Sequence, residues 1–357
     1  MKRLPLAALV AAFFLFLVFS VSVRQAVLLL VGMGMGAALA GARFGFTTGW
    51  RQLIEQRDPR GVTGQALLLA LASLAALPLM GQFSELNAAL GPPSVSLLIG
   101  AFVFGLTMQI ADGCGSGTLY KAGLGVPLNM GILPLFAFGS FLGSVHLDQW
   151  LSLGQTEPVS LSAQFGTDGA LALTLGLLAL ALLGVRAWVG SGKQWIDKRW
   201  VWGAVALAVL ATLNLLLAGQ PWGVVYGFGL WAAKVSVALG AFDPAANAFW
   251  SQAGNAQRLT QTVLMDVTTI TSIGILAGAL WVSAKSPSAD KPLTAQQWAI
   301  GLVAGFVMGY SSRLAFGCNV GAMLSGISTG SLHGWIWVPL AFAGTMVGVR
   351  MRRRFGF

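Results

Sequence analysis

The sequence predicts an all-α polytopic membrane protein built as two inverted-topology repeats with broken, re-entrant helices. Three observations predict it. Over half of the 357 residues are apolar and only 9% are charged, whereas a soluble domain carries about 25% charged residues. Apolar stretches of about 20 residues recur along the chain, each long enough to cross ~30 Å of hydrocarbon. Glycine-rich segments holding one cysteine apiece occur once in each half, at Cys114 and Cys318.

In chain order the apolar stretches give about ten spans: 4–23, 25–42, 62–80, 94–111, 128–146, 169–188, 200–218, 261–283, 296–314 and 333–349. The first follows Met1-Lys2-Arg3 and is read as a retained span, because no small-residue cleavage site precedes the next apolar segment. Four further segments, 43–51, 112–125, 219–241 and 315–330, are apolar but dense in glycine. Glycine at that density weakens a helix interior, so these are expected to be poor regular helices. Broken backbone survives in a membrane only when buried in protein or lining a watery cavity. Function is therefore sought in these four segments.

Loop charges set the expected orientation. Arg43, Arg51, Arg57 and Arg60 cluster in 43–60, and Arg186, Lys193, Lys198 and Arg199 in 186–199. With Lys285, Lys291 and the C-terminal Arg350, Arg352, Arg353 and Arg354, they mark a cytoplasmic face, with both termini inside. The 81–93 and 147–168 loops hold Glu85, Asp148, Glu157 and Asp168 without lysine or arginine and read as external. The net charge of +10 is thus largely a topology signal. No basic domain stands outside the spans, which argues against nucleic-acid binding. Two cysteines exclude a cluster held by four cysteines of this chain and a disulfide scaffold. His146 and His333 have no partner at metal-ligand spacing, so no metal or cofactor is expected. A Walker motif is absent, leaving energy coupling open.

The halves repeat. Phe44-Gly45-Phe46 follows the second span and Tyr226-Gly227-Phe228 the seventh. Gly105 precedes Gly113-Cys114 by the spacing that separates Gly309 from Gly317-Cys318, and Gly117 and Gly321 follow each cysteine by three. The first cysteine break follows a span running inward and the second a span running outward, so the halves are inverted, as in many secondary transporters. Within a single membrane domain, 1–357, residues 24–146 form repeat one, 169–188 a connecting span and 200–349 repeat two.

Glycines around Cys114 (Gly113, Gly115, Gly117) and Cys318 (Gly317, Gly321) leave backbone N–H groups exposed, and a helix start beyond favours an anion. A thiol is a weak donor and a polarizable acceptor, suited to brief contact with a soft, sulfur-bearing substrate. Arg43 and Lys121 beside the breaks either draw an oxyanion inward or snorkel to the interface. Arg313, at a span end next to the Cys318 break, is a functional candidate as an intramembrane cation. Asp112 needs a cationic partner, Lys121 or Arg313. Asp266 and Lys234 suit a structural pair or a proton relay. Thr47, Thr48, Ser116 and Thr118 offer hydroxyl donors, with capping of a short helix the simpler role. Trp222 and Trp231 suit packing and path lining equally.

The segments Ala42-Arg43-Phe44-Gly45-Phe46-Thr47-Thr48-Gly49-Trp50-Arg51, Ala111 through Gly123 and Phe316-Gly317-Cys318-Asn319-Val320-Gly321 resemble, in order, the signatures of the YeeE/YedE family of bacterial inner-membrane sulfur transporters. Pro221-Trp222-Gly223 and Phe228 through Lys234 resemble a further family segment. The resemblance implies two inverted halves meeting at a narrow waist, and uptake of thiosulfate by transient thiol contacts without covalent chemistry. Cys114 and Cys318 would be two of the family's path cysteines, while Gly45 stands where the family usually has a third. A selenium compound or another soft anion is the alternative cargo, and a membrane thiol–disulfide redox protein the reading outside transport. The family also implies a cytoplasmic sulfurtransferase-like partner.

Overall fold

A helix in hydrocarbon satisfies its own backbone, and the computed structural model consists of such helices joined by short turns. It describes residues 3–284 and 292–357. Met1, Lys2 and the expected cytoplasmic stretch with Lys285 and Lys291 lie outside the described residues. Among the described residues, nine helical stretches are long and apolar enough to cross a membrane, so the chain is a multi-pass membrane protein.

Helices α1 (Arg3–Ser20) and α2 (Val23–Ala42) form a hairpin in which the Ser22 hydroxyl caps α2. After a short break come α3 (Phe46–Gln56) and α4 (Arg60–Gln82). Arg60 bonds both carboxylate oxygens of Asp58 in the turn between them, holding that carboxyl below its usual range. Next are α5 (Val95–Ile110), α6 (Gly115–Gly123), α7 (Pro127–Val145), α8 (Leu147–Leu151) and the largely exposed α9 (Leu161–Val189). The second half contains α10 (Lys198–Ala218), α11 (Val225–Ala238), α12 (Ala253–Thr260), α13 (Val267–Ser283) and α14 (Ala295–Leu314). A π-helical segment, Asn319–Gly326, precedes α15 (Leu332–Arg354).

Three expectations change. The eighth span begins at Val267 rather than near 261, because the Asp266 carboxylate accepts from Thr269 N and caps α13 there. The glycine-dense segments at 43–51 and 219–241 are regular over α3 and α11, and their glycines serve close packing instead. A Cβ on Gly49 would lie 2.7 Å from the Gln65 amide, and one on Gly227 2.8 Å from the Thr268 hydroxyl. The other two segments do break, at Asp112–Cys114 and Ala315–Cys318.

Packing pairs recur across the halves. α2 lies on α13 while α10 lies on α4; α5 lies on α15 while α14 lies on α7. Close approach comes from spaced glycines, the small-residue device of membrane helices. A Cβ on Gly32 or Gly36 of α2 would overlap main-chain oxygens of Thr271 and Ile275, and one on Gly278 that of Met33. Gly105 of α5 and Gly344 of α15 meet Ala341 and Phe102 in the same way.

Arg352, near the end of α15, reaches Asp112 beyond the end of α5, so these two helices finish on one face. Arg51, Arg57, Arg60 and Lys193 lie on that basic face with them. On the opposite face Ser331 pairs with Ser160 and Ser94 with Gln155. The two cysteine breaks therefore sit at opposite ends of the helices.

Gly278→Leu is expected to destabilise the protein by about 1–3 kcal/mol through overpacking against α2. Gly176→Ala, with nothing within 4 Å of its added Cβ, is expected to be neutral or stabilising by up to ~1 kcal/mol. Thermal unfolding in detergent checks both.

Candidate functional site

Each cysteine follows the same backbone turn. After α5, Asp112 adopts a left-handed conformation (φ 53°) and Gly113 N bonds Met108 O at 3.1 Å. After α14, Phe316 does so (φ 56°) and Gly317 N bonds Ser312 O at 2.8 Å. A bulky residue in this region is strained and persists only when its surroundings hold it; Phe316 is wedged beside Gly91 and the His333 ring. Cys114 and Cys318 are then both extended, and their carbonyls accept from Thr118 N at 2.7 Å and Ala322 N at 2.8 Å. Gly317 has φ 148°, a value that L side chains rarely adopt.

The turns come from opposite faces and meet. The Cβ that Gly115 lacks would lie 3.2 Å from Cys318 Sγ, 3.1 Å from Val224 and 3.5 Å from Phe136. A side chain there would press on the second thiol, and glycine allows the close approach. Both thiols are buried and free, at 1% and 0% exposure. Cys114 Sγ accepts from Gly117 N at 3.4 Å and lies 3.5 Å from Ser116 Oγ; it is the cap atom of α6.

Polar side chains reach carbonyls at the two breaks and at the start of α3. Asn129 donates to Ala111 O, Gln109 to Thr47 O, Gln65 to Phe46 O and Ser96 to Leu314 O. Several neighbouring groups have no partner among the described residues. Thr47 Oγ1, Thr118 Oγ1, Trp222 Nε1 and both amide atoms of Asn319 are buried and unpaired. The expected helix-capping role of Thr47 and Thr118 therefore fails. An unpaired buried polar group costs about 1–3 kcal/mol, so these groups carry unmet hydrogen-bonding capacity inside the protein.

Two narrow crevices of about 10 Å³ each, neither lined by a cysteine, lie beside the two halves of the site. The one on the basic face is lined by Gly45, Thr47, Thr48, Gly113, Gly117 and Lys121. A Cβ on Gly45 would sit 2.8 Å from Thr48 Oγ1, so a hydroxyl fills the space a longer side chain would enter. The opposite crevice is lined by Trp222, Leu324, Ser325 and Thr329, and Ser325 donates to Trp222 O at 2.6 Å. Trp231 bonds Thr269 instead and serves packing.

Charges sit differently from the sequence expectation. Asp112 pairs with Lys121, as one expected pairing has it, and also with Arg51 and Arg352. The alternative partner, Arg313, is at the far end of α14, over the rings of Tyr226 (5.8 Å) and Phe249 (4.8 Å), and lines neither crevice. Arg43 is exposed and caps α2 in a left-handed conformation. Lys234 and Asp266 do not pair: the lysine donates to Leu259 O and Gln261 O, while the carboxylate takes the Thr268 and Thr269 hydroxyls. The histidines face hydroxyls of Tyr310 and Ser331. Arg51 and Arg352, which the sequence presents only as loop and terminal charges, reach Asp112 through contacts between distant parts of the chain. Among the described residues no three His, Cys, Asp or Glu side chains group at metal-binding distance.

The profile of a family described as sulphur transport matches residues 41–347. The chain belongs to the sulphur transport family. It is 27% identical over 350 residues to the thiosulfate transporter TsuA of Spirochaeta thermophila, covering 91% of this chain and 98% of that one. It is 25% identical over 371 residues to TsuA of Escherichia coli K12, covering 91% and 95%. The probable transporter YedE of the same organism is 25% identical over 166 residues, covering 46% of this chain and 41% of its own length. The YeeE/YedE resemblance of the cysteine segments is thus confirmed at the level of the family, whose members are transporters rather than enzymes. In this sulphur transport protein the matched stretch includes both cysteine turns and both crevices.

Both thiols are expected to be reduced. Alkylation after denaturation without reductant should label Cys114 and Cys318 alike; a disulfide between them on peptide mapping would contradict the free-thiol waist.

Proposed function

We propose that this protein carries thiosulfate, or a closely related small sulfur anion, across the bacterial inner membrane into the cytoplasm along a path lined by Cys114 and Cys318. The observation that carries the reading is the meeting of the two thiol-bearing turns at one buried waist, where Gly115 of the first turn lies against the Cys318 thiol of the second. The names of the TsuA relatives support thiosulfate as the cargo.

The inverted-repeat reading is part of the proposal, with 24–146 and 200–349 as the repeats and 169–188 as the connector. Paired helix contacts and matched turns at Asp112–Cys114 and Phe316–Cys318 support it. The basic face is taken as cytoplasmic because arginine and lysine collect on the cytoplasmic side of short loops. Uptake then runs from the Trp222 crevice, past Cys318 and Cys114, to the crevice beside Lys121. Conduction needs sites that bind weakly enough to release. Two thiols and a few unpaired neutral donors make such a series, since neither holds a dianion as a fixed charge would. On the basic face a cytoplasmic sulfurtransferase-like protein would receive the anion, as the family resemblance implies.

Growth on thiosulfate as sole sulfur source, in a host lacking its own uptake systems, is expected to depend on this chain. Cys114→Ala and Cys318→Ala are each expected to slow uptake about tenfold, the loss of ~1.4 kcal/mol at the barrier. Unchanged uptake in both variants would sink the thiol path.

Gly45 supplies a test of cargo. Gly45→Cys with Thr48→Ala, which clears the hydroxyl, is expected to speed thiosulfate uptake; unchanged flux would mean that two thiols suffice. Competition by sulfite and selenite in the same assay ranks the soft anions.

A further inference from the structure

The cysteine turn on the basic face carries charges that its geometry does not need. Phe316, a neutral residue, makes the same left-handed turn before Cys318 that Asp112 makes before Cys114. Asp112 nevertheless gathers three cations from three helices: Arg51 Nη1 of α3 at 2.8 Å, Lys121 Nζ of α6 at 2.5 Å and Arg352 Nη1 of α15 at 3.2 Å. These are three positive charges against one negative, an excess of two. Glu55 on the same face pairs with Arg353 at 2.8 Å. All four side chains are largely buried, with 15–26% exposure, so salt screens them less than surface charges.

The cluster borders the path. Asp112 and Lys121 line the crevice that also presents Thr47, whose buried hydroxyl is unpaired, and Thr48. We propose that Arg51, Lys121 and Arg352 form a binding site for a divalent oxyanion at the basic mouth. The Asp112 carboxylate occupies this site as an internal stand-in until such an anion arrives. A dianion matches the charge excess, and Arg51 and Arg352 offer planar donor forks suited to oxyanion oxygens. The competing carboxylate keeps affinity low, so the anion binds and then leaves. This assignment rests on the proposed path for its place at the exit, but binding itself does not require the thiols.

Thermal unfolding of the purified protein in detergent tests it, with sodium thiosulfate, sodium sulfate and sodium chloride compared at equal ionic strength. Both divalent anions are expected to raise Tm by about 2–4 °C when well above their Kd, and chloride not at all. The rise should persist in Cys114→Ala/Cys318→Ala. Arg352→Gln is expected to weaken the apparent affinity about tenfold, Arg352→Lys less, and Asp112→Asn to tighten it about tenfold. If Asp112→Asn does not fold, the Arg352 pair still decides. Equal effects of sulfate and chloride, or an unchanged affinity in Arg352→Gln, would overturn the site. If the divalent rise and its loss in Arg352→Gln hold while the thiol variants transport normally, the exit site stands and the thiol path falls.

Discussion

A membrane does not forgive an unpaired backbone, and this fold is arranged around two places where the backbone leaves the helix. Hydrocarbon offers no water to satisfy a freed N–H or C=O, so a break must find partners within protein. Here each break folds back on its own helix through the Gly113 and Gly317 amides and recruits side chains from neighbours, Asn129 for Ala111 O and Ser96 for Leu314 O. Those neighbours come close only because glycines such as Gly105, Gly139 and Gly309 let backbones touch. The small-residue contacts, buried amides and cysteine turns thus depend on one another. A larger residue at such a glycine would push the packed backbones apart.

The two breaks share their backbone but differ in what they present. The turn on the basic face leads into an ordinary α-helix and holds a carboxylate in a ring of cations. The other leads into a π-helical segment and holds Phe316 against His333. π-helical turns are frequent at functional sites because their looser pitch re-aims side chains. The waist between them is neutral, thiol-bearing and short of hydrogen-bond partners. On the proposed path, an anion would meet weak donors in the middle and the Arg51–Lys121–Arg352 cluster at the basic mouth.

Much of this was legible in the sequence. Apolar length alone places α2, α5, α10 and α14 within a few residues, and equal spacing from Gly105 and Gly309 identifies the paired turns. Illegible were features that depend on a capping atom or a distant contact. Asp266 starts α13 late because its carboxylate caps the helix, which hydropathy does not register. The glycines of α3 and α11 look like helix breakers in one dimension and are contact points in three. Arg313, adjacent to the Cys318 break in the chain, points to aromatic rings away from both crevices. Arg352, read only as a topology signal, folds onto Asp112.

The two cysteines sit in turns from opposite ends of the helices that meet at one buried waist. The most direct test is uptake of radiolabelled thiosulfate into proteoliposomes containing only the purified protein, wild type beside Cys114→Ala/Cys318→Ala at matched folded content. The account predicts saturable uptake by the wild type and uptake near that of empty vesicles for the double variant. Equal uptake by both proteins would contradict it.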